Sequence, residues 1–350
     1  MRILSASEAI SPAFSRTKLV LLKPFRFGRT WKLAVSSYLG LSSLMFMPFP
    51  LIYLAFLPAI HSSSMRILAV VFIILATLAF CGVFYLLSRL EFAFFDILAN
   101  KGEFVAPAWR KYGPQAFRWS VFKALIGIPM ALVIGLPFYR MFKPLMQLQA
   151  DPKTPPNFPF ADTGQFFLTF FAIFFGFMLL LLVGTMLSDF IVPSLALENT
   201  SIGEAFRRFA LLVRTEPGPF LFFICLKAVL GFIGYYVVIF VAEIAVLLVA
   251  LVLGLIAFLL GSLLHAVGVP WYVLHGIAIA LAIPGYFGLL YVVSMAIGAY
   301  VTFLQAWGLY FLGGRYPLLG DVLTRSTPNA PWPFPYPPPE NWVEPPPTQG

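Results

Sequence analysis

Hydrophobic positions in this chain come in long unbroken runs, without the alternation of a half-buried strand or the single stripe of a soluble helix. The longest charge-free run, between Glu243 and Arg315, is 71 residues. No water-soluble surface could carry it, so it is read as lying in lipid. The runs predict helical spans at 33–60, 65–95, 119–142 and 165–196. Pro48, Pro50 and Pro58 should bend or end the outer half of the first, and Pro129 and Pro137 should kink the third. Between spans three and four, 143–164 contains Pro152, Pro155, Pro156 and Pro159 and reads as a non-helical outer loop. In span four Phe166/Phe167, Phe170/Phe171 and Phe174/Phe175 recur every four residues, which places the rings on one helix face. The last two runs, 220–265 and 271–312, each exceed the roughly 20 residues that cross a bilayer. Read as one long, tilted or partly re-entrant element each, they give six spans; split near Glu243 and near Pro284-Gly285, they give eight. The fold class is an all-α integral membrane bundle.

Composition strengthens this reading: 60% of residues are hydrophobic, 11% are charged, and the mean hydropathy is +0.90. The net charge of +9 matters through its placement. Eighteen cations cluster at one set of span ends and in the two terminal segments. The opposite ends in a six-span reading hold four, Arg66, Arg140, Lys143 and Lys153. The positive-inside rule then places both termini in the cytoplasm and the protein in the inner (plasma) membrane. Residues 1–32 interleave seven cations with Phe14, Phe25, Phe27 and Trp31, as expected of a segment lying at a headgroup surface. This basic stretch is too long for a cleavable signal, so the first span is expected to target the chain. The membrane domain is 33–312, and 313–350 reads as an unpacked, Pro-rich cytoplasmic tail.

Two connections on the cytoplasmic side match in order and type. One runs through Glu91-Phe92, Asn100 with Glu103, Ala108-Trp109-Arg110-Lys111, Gly113-Pro114 and Lys123-Ala124. The other runs through Asp189-Phe190, Ser201 with Glu204, Ala205-Phe206-Arg207-Arg208, Gly218-Pro219 and Lys227-Ala228. Ser201 and Glu204 form a capping-box pattern, and Asn100 with Glu103 is a close relative, so each connection should begin a short amphipathic elbow helix. Because both copies lie on one side, the repeat is parallel.

On the lead-in Lys23-Pro24-Phe25-Arg26-Phe27-Gly28-Arg29-Thr30-Trp31-Lys32, the run Asp189-Phe190-Ile191-Val192-Pro193 and the elbow Ala205-Phe206-Arg207-Arg208-Phe209, the chain resembles a family of bacterial multi-pass proteins. That family is related to the membrane domain found ahead of some glycerophosphodiester phosphodiesterases. The resemblance covers about residues 14–312 and implies a membrane fold. The catalytic domain of those enzymes has no counterpart here.

Candidate chemistry is sparse. There is no phosphate loop, zinc-protease, paired-cysteine or nucleophile-elbow motif, so no catalytic residue, cofactor or metal is expected. Cys81 and Cys225 read as packed apolar residues, and His61, His265 and His275 are too scattered to act together. Charges inside apolar runs are costly and usually paired or functional. Arg89, Glu91 and Asp189 are therefore expected to form a buried cluster tying span two to span four, and Glu243 stands as an isolated intramembrane acid. Arg110, Lys111, Arg207 and Arg208 are candidates for gripping lipid headgroups. Ala131-xxx-Gly135, Ala257-xxx-Gly261 and Ser294-xxx-Gly298 would allow close helix approach. The expected function is that of a non-enzymatic membrane component engaging anionic lipid or organising partner proteins, with no nucleic-acid partner. The alternative is a transporter of a small solute or lipid.

Overall fold

A computed structural model describes residues 2–23, 25–41, 63–102, 104–150 and 163–326, and these are all-helical. In chain order the helices are α1 (Ile10–Leu22), α2 (Phe27–Leu41), α3 (Ser63–Asn100), α4 (Val105–Lys111), α5 (Gly113–Ala150), α6 (Thr163–Phe190), α7 (Val192–Glu198), α8 (Ile202–Thr215), α9 (Pro217–Ala266), α10 (Trp271–Gly313) and α11 (Pro317–Arg325). Among the described residues, five stretches are long and apolar enough to cross a membrane: Ile67–Asn100, Gly113–Gly135, Phe166–Glu198, Pro217–Ala266 and Gly285–Gly313. The protein is therefore a multi-pass membrane protein. The expected bends at Pro48, Pro50 and Pro58, His61, Glu103 and Lys153 lie outside the described residues, as does the expected tail from 327 onward. The first part of that tail, 313–326, is packed and not extended as expected: Leu319 and Leu323 of α11 are buried in the core.

Local sequence accounts for the helix ends. Ser201 caps α8 by accepting the Glu204 backbone N–H, as its spacing predicts. Asn199, at φ 53°, closes α7, and α9 and α11 begin on Pro217 and Pro317, whose missing N–H has no helical partner to lose there. Asn100 does not act as the cap of a following helix. It is the last residue of α3, bonded back to Asp96, and α4 starts only after Phe104. Lys101 takes the left-handed conformation at φ 57°, and the Gly102 N–H closes on the Ile97 carbonyl, the six-to-one bond of a helix stop. α5 also continues past Lys143 to Ala150, into the segment expected as the outer loop, of which 151–162 lie outside the described residues. α5 runs through Pro129 and Pro137, α9 through Glu243, and α10 through Pro284-Gly285.

Buried residues gather at one end of the bundle. There one end of each long helix packs with α1, α2, α4, α7, α8 and α11 around Trp119, Trp307, Phe92, Phe223 and Phe311. Phe190 stacks on Phe209, and Phe223 on Phe311, with centroids 4.8 and 4.2 Å apart. α9 and α10 are antiparallel, with Phe220 beside Phe311 and the Tyr300 hydroxyl donating to the Leu230 carbonyl at 2.5 Å. α10 divides into two functional lengths. From Ile297 to Leu312 most of its side chains are buried in protein, whereas Tyr272, Tyr286 and Phe287 are exposed. Toward the other end the helices carry exposed apolar side chains, Leu247, Leu251 and Phe258 among them, as expected where lipid is the solvent. Cys81 and Cys225 are exposed and not packed as expected. An apolar residue in a membrane protein needs no protein neighbour. The α6 phenylalanines form two columns, 166–170–174 and 167–171–175, with successive rings 6.2–6.4 Å apart.

α2 runs beside α10 in the same sense. Trp31 and Phe27 meet Tyr291, both at 5.5 Å, and the Ser37 hydroxyl lies between the Ala34 and Gly298 carbonyls and accepts from Thr302. A Cβ on Gly298 would run into the Ala34 carbonyl. Gly298 is thus the small residue that allows this crossing, whereas the space beside Gly135 and Gly261 is open.

Candidate functional site

Four charges are buried in the core as two acid–lysine pairs. Glu91 of α3 accepts from Lys123 of α5 at 2.8 Å and from the Trp119 indole at 3.0 Å. Asp189 of α6 pairs with Lys227 of α9, which also donates to the Leu304 carbonyl of α10 at 3.0 Å. Each lysine head lies over the ring four residues before it, Lys123 over Trp119 at 5.9 Å and Lys227 over Phe223 at 5.6 Å. Helical spacing dictates this, since residues four apart share a face. Glycines admit the acids: a Cβ on Gly40 would sit 3.1 Å from the Glu91 backbone, and one on Gly308 would enter the Asp189 carboxylate. The sequence therefore places Glu91 and Asp189 correctly in the interior but assigns them the wrong partner.

Arg89 is not in this cluster. Residues two apart on a helix do not face each other, and Arg89 points to α4, donating to the Trp109 carbonyl at 2.6 Å with its guanidinium 5.3 Å from the Trp109 ring. The missed partners, Lys123 and Lys227, occupy matching places in the two connections, and that match was the available signal.

Arg16, in the segment expected to lie at a headgroup surface, is a third buried cation. Arg16 donates to the Leu98 carbonyl at 2.8 Å, to the Ala99 carbonyl at 2.6 Å and to the Ser326 hydroxyl at 2.8 Å. It fastens α1 to the end of α3 and to the residue after α11, taking carbonyls that the helix stop at Lys101 leaves over. Ala13, Thr17 and Val20 on the same face are buried too, the pattern that marks its direction. Arg16→Lys is expected to lower stability by about 1.5–3 kcal/mol in detergent unfolding, because an ammonium cannot reproduce the planar fork. An unchanged midpoint would show that the carbonyls find other donors. Arg315 plays a similar part at the opposite corner, bonded to Glu216 at 2.8 Å and to the Leu4 carbonyl at 2.9 Å.

The elbow cations have protein partners, with one exception. Arg207 binds Glu204 through two nitrogens at 2.9 and 3.1 Å. Arg208 binds Glu204 at 3.0 Å and also pairs with Glu198. Hydrogen bonds from Arg207 and then Arg208 hold the Glu204 carboxyl below its usual range. Lys111 pairs with Asp96 at 3.1 Å beside Tyr112, whose phenol donates to the same carboxylate at 2.6 Å. Burial, then that bond, pushes the Tyr112 phenol up to about 12, so it remains a donor. Arg110 is exposed and has no ion pair among the described residues.

The corner between α1 and α2 has a different character. Arg29 and Thr30 fix it by donating to the Val20 and Leu21 carbonyls at 3.0 and 2.8 Å. Around it Lys18, Lys23, Arg26 and Lys32 are exposed without ion pairs among the described residues, interleaved with exposed Phe14, Leu22, Phe25 and Phe27. Glu243 is exposed on α9, His265 lies near the end of that helix, and His275 lies in α10. No cluster of three metal-ligating side chains occurs among the described residues.

The chain belongs to a family of unknown function, DUF7544, whose model matches residues 4–322. No curated protein and no solved structure matches it.

Proposed function

We propose that this DUF7544 member is a non-enzymatic component of the inner membrane that holds anionic lipid at the cytoplasmic surface through the α1–α2 corner. The observation that carries this reading is that Lys18, Lys23, Arg26 and Lys32, exposed and without ion pairs among the described residues, alternate with exposed rings, the composition of a segment seated among headgroups. Arg207 and Arg208 suit the role less well, because phosphate would have to displace a carboxylate that is already in place. The length of α10 agrees: from Tyr291, which touches the corner, back to Trp271 is 21 residues, about 31 Å and close to one hydrocarbon thickness. The remainder of the helix is the buried half. With the first span kept as the sequence reads it, within 33–60, we keep six spans and cytoplasmic termini. The resemblance to the phosphodiesterase-linked membrane domain implies a membrane fold and carries none of that enzyme's chemistry over. Both buried acid–lysine pairs are closed on themselves, and we assign them to structure and not to transport.

Each cation near an anionic surface contributes on the order of 1 kcal/mol. Changing Lys23, Arg26 and Lys32 together to Gln should weaken retention of phosphatidylglycerol by about two orders of magnitude in native mass spectrometry, with little change in melting. Undiminished retention would remove the corner from lipid binding. Changing Arg110, Arg207 and Arg208 to Lys should leave retention as it is.

A further inference from the structure

Arg89 follows 22 residues, 67–88, that carry no charge, and no carboxylate meets it among the described residues. Glu91 is closed by Lys123 and Trp119, and Asp96 by Lys111 and Tyr112. A cation set into an apolar helix is costly unless something answers its charge. The Arg89 Nε is used on the Trp109 carbonyl, and the Trp109 ring lies against the guanidinium. This fixes the fork, while its two η nitrogens have no acceptor among the described residues. One turn earlier on the same face of α3, the Tyr85 hydroxyl also has no hydrogen bond among them. Both side chains border one opening. A Cβ on Gly113, at the start of α5, would find the Arg89 Nη2 at 3.8 Å and the Tyr85 hydroxyl at 3.9 Å among its nearest atoms. Arg89 and Tyr85 are half-buried, so the opening reaches the surface. We infer that it binds a phosphate group, held by the Arg89 fork and the Tyr85 hydroxyl. A carboxylate would occupy the fork with its two oxygens and leave the hydroxyl unmet, whereas a phosphate keeps a third oxygen for it.

The second copy of the connection shows that the elbow does not need these groups for its fold. Counted from the acids Glu91 and Asp189, Val183 and Leu187 of α6 stand where Tyr85 and Arg89 stand in α3; Phe206 takes the place of Trp109, and Gly218 that of Gly113. A Cβ on Gly218 would meet open space. Yet α8 forms and packs, with the Phe206 ring 5.2 Å from that of Phe122. Two apolar residues thus do in one copy what a tyrosine and an arginine do in the other, so the donors at Gly113 are left for a ligand. This site does not rest on the α1–α2 corner and lies on other helices.

The phosphate has two sources, a phospholipid headgroup or a soluble phosphate, and two arms of one experiment distinguish them. In one, the full chain, purified in detergent and stripped of phospholipid, is titrated with inorganic phosphate by calorimetry at constant ionic strength. In the other it is offered equal amounts of phosphatidylglycerol and phosphatidylethanolamine before native mass spectrometry. A soluble source shows as a phosphate Kd that Arg89→Lys raises at least about tenfold, because the variant keeps the charge and loses the fork. A lipid source shows as one retained phospholipid per chain that Arg89→Lys loses. Gly113→Ala puts a methyl into the opening at ordinary contact distance, so it should fold and lose the same binding with Arg89 intact. The corner variant K23Q/R26Q/K32Q should keep this binding, so the two sites fail separately. A wild type that binds in neither arm overturns the inference, as does a folded Arg89→Lys or Gly113→Ala that matches the wild type in both.

Discussion

Asp189→Leu is expected to destabilise the protein by about 3–5 kcal/mol, because it leaves Lys227 charged and unpaired in the core. Its remaining partner, the Leu304 carbonyl, cannot neutralise an ammonium. Replacing Lys227 by Met in the same chain should restore most of the loss, since a buried pair contributes little over well-packed apolar residues of similar volume. Glu91→Leu should behave alike and be rescued by Lys123→Met, with a smaller residue of damage from the Trp119 indole left without its acceptor. Detergent unfolding of the single and double variants measures both couplings. Arg89→Leu combined with Asp189→Leu should be additive within about 0.5 kcal/mol. A larger coupling would return Arg89 to the cluster.

Glycine substitutions should divide sharply by location. Gly298→Ala and Gly308→Ala are each expected to cost about 1–3 kcal/mol, since the added methyl forces α10 away from α2 or from the Asp189 carboxylate. Gly254→Ala and Gly261→Ala meet open space and should be neutral or stabilising by up to about 1 kcal/mol through helix propensity. Melting temperatures of the four variants in one detergent decide this. Equal effects at all four positions would mean that helix propensity, and not the α2–α10 approach, sets the cost.

Features that depend on one helix at a time were legible in the sequence. The apolar runs gave the spanning helices, Ser201 with Glu204 gave the start of α8, and the phenylalanines of α6 fell on one face as their spacing requires. Features that depend on direction between helices were not. The acids Glu91 and Asp189 could be placed inside, but which cation faces them follows from how α5 and α9 rotate against α3 and α6, information no single segment carries. Arg89 misled because closeness in sequence stood in for closeness in space. Arg16 misled because a cation in a basic stretch resembles its solvated neighbours until a partner helix end is known. The great length of α9 and α10 suggested extra crossings, and the puzzle eases once the final sixteen residues of α10's burial, Ile297 to Leu312, are seen to lie within protein.

The core closes with the two ends of the chain. Trp307 donates to the Ala6 carbonyl, Arg315 to that of Leu4, and Arg16 to Ser326, contacts separated by 301, 311 and 310 residues. A ribosome adding about 5–20 residues per second needs roughly 15–60 s to travel that distance. During this interval α1 has neither Trp307 nor α11 to pack against, and its buried face must wait at the membrane surface or in the grip of a chaperone. The decisive step of assembly therefore waits until residues 307–326 have been made. Chains released before residue 307 would have their spans inserted and their core still open, a state that quality-control proteases can recognise.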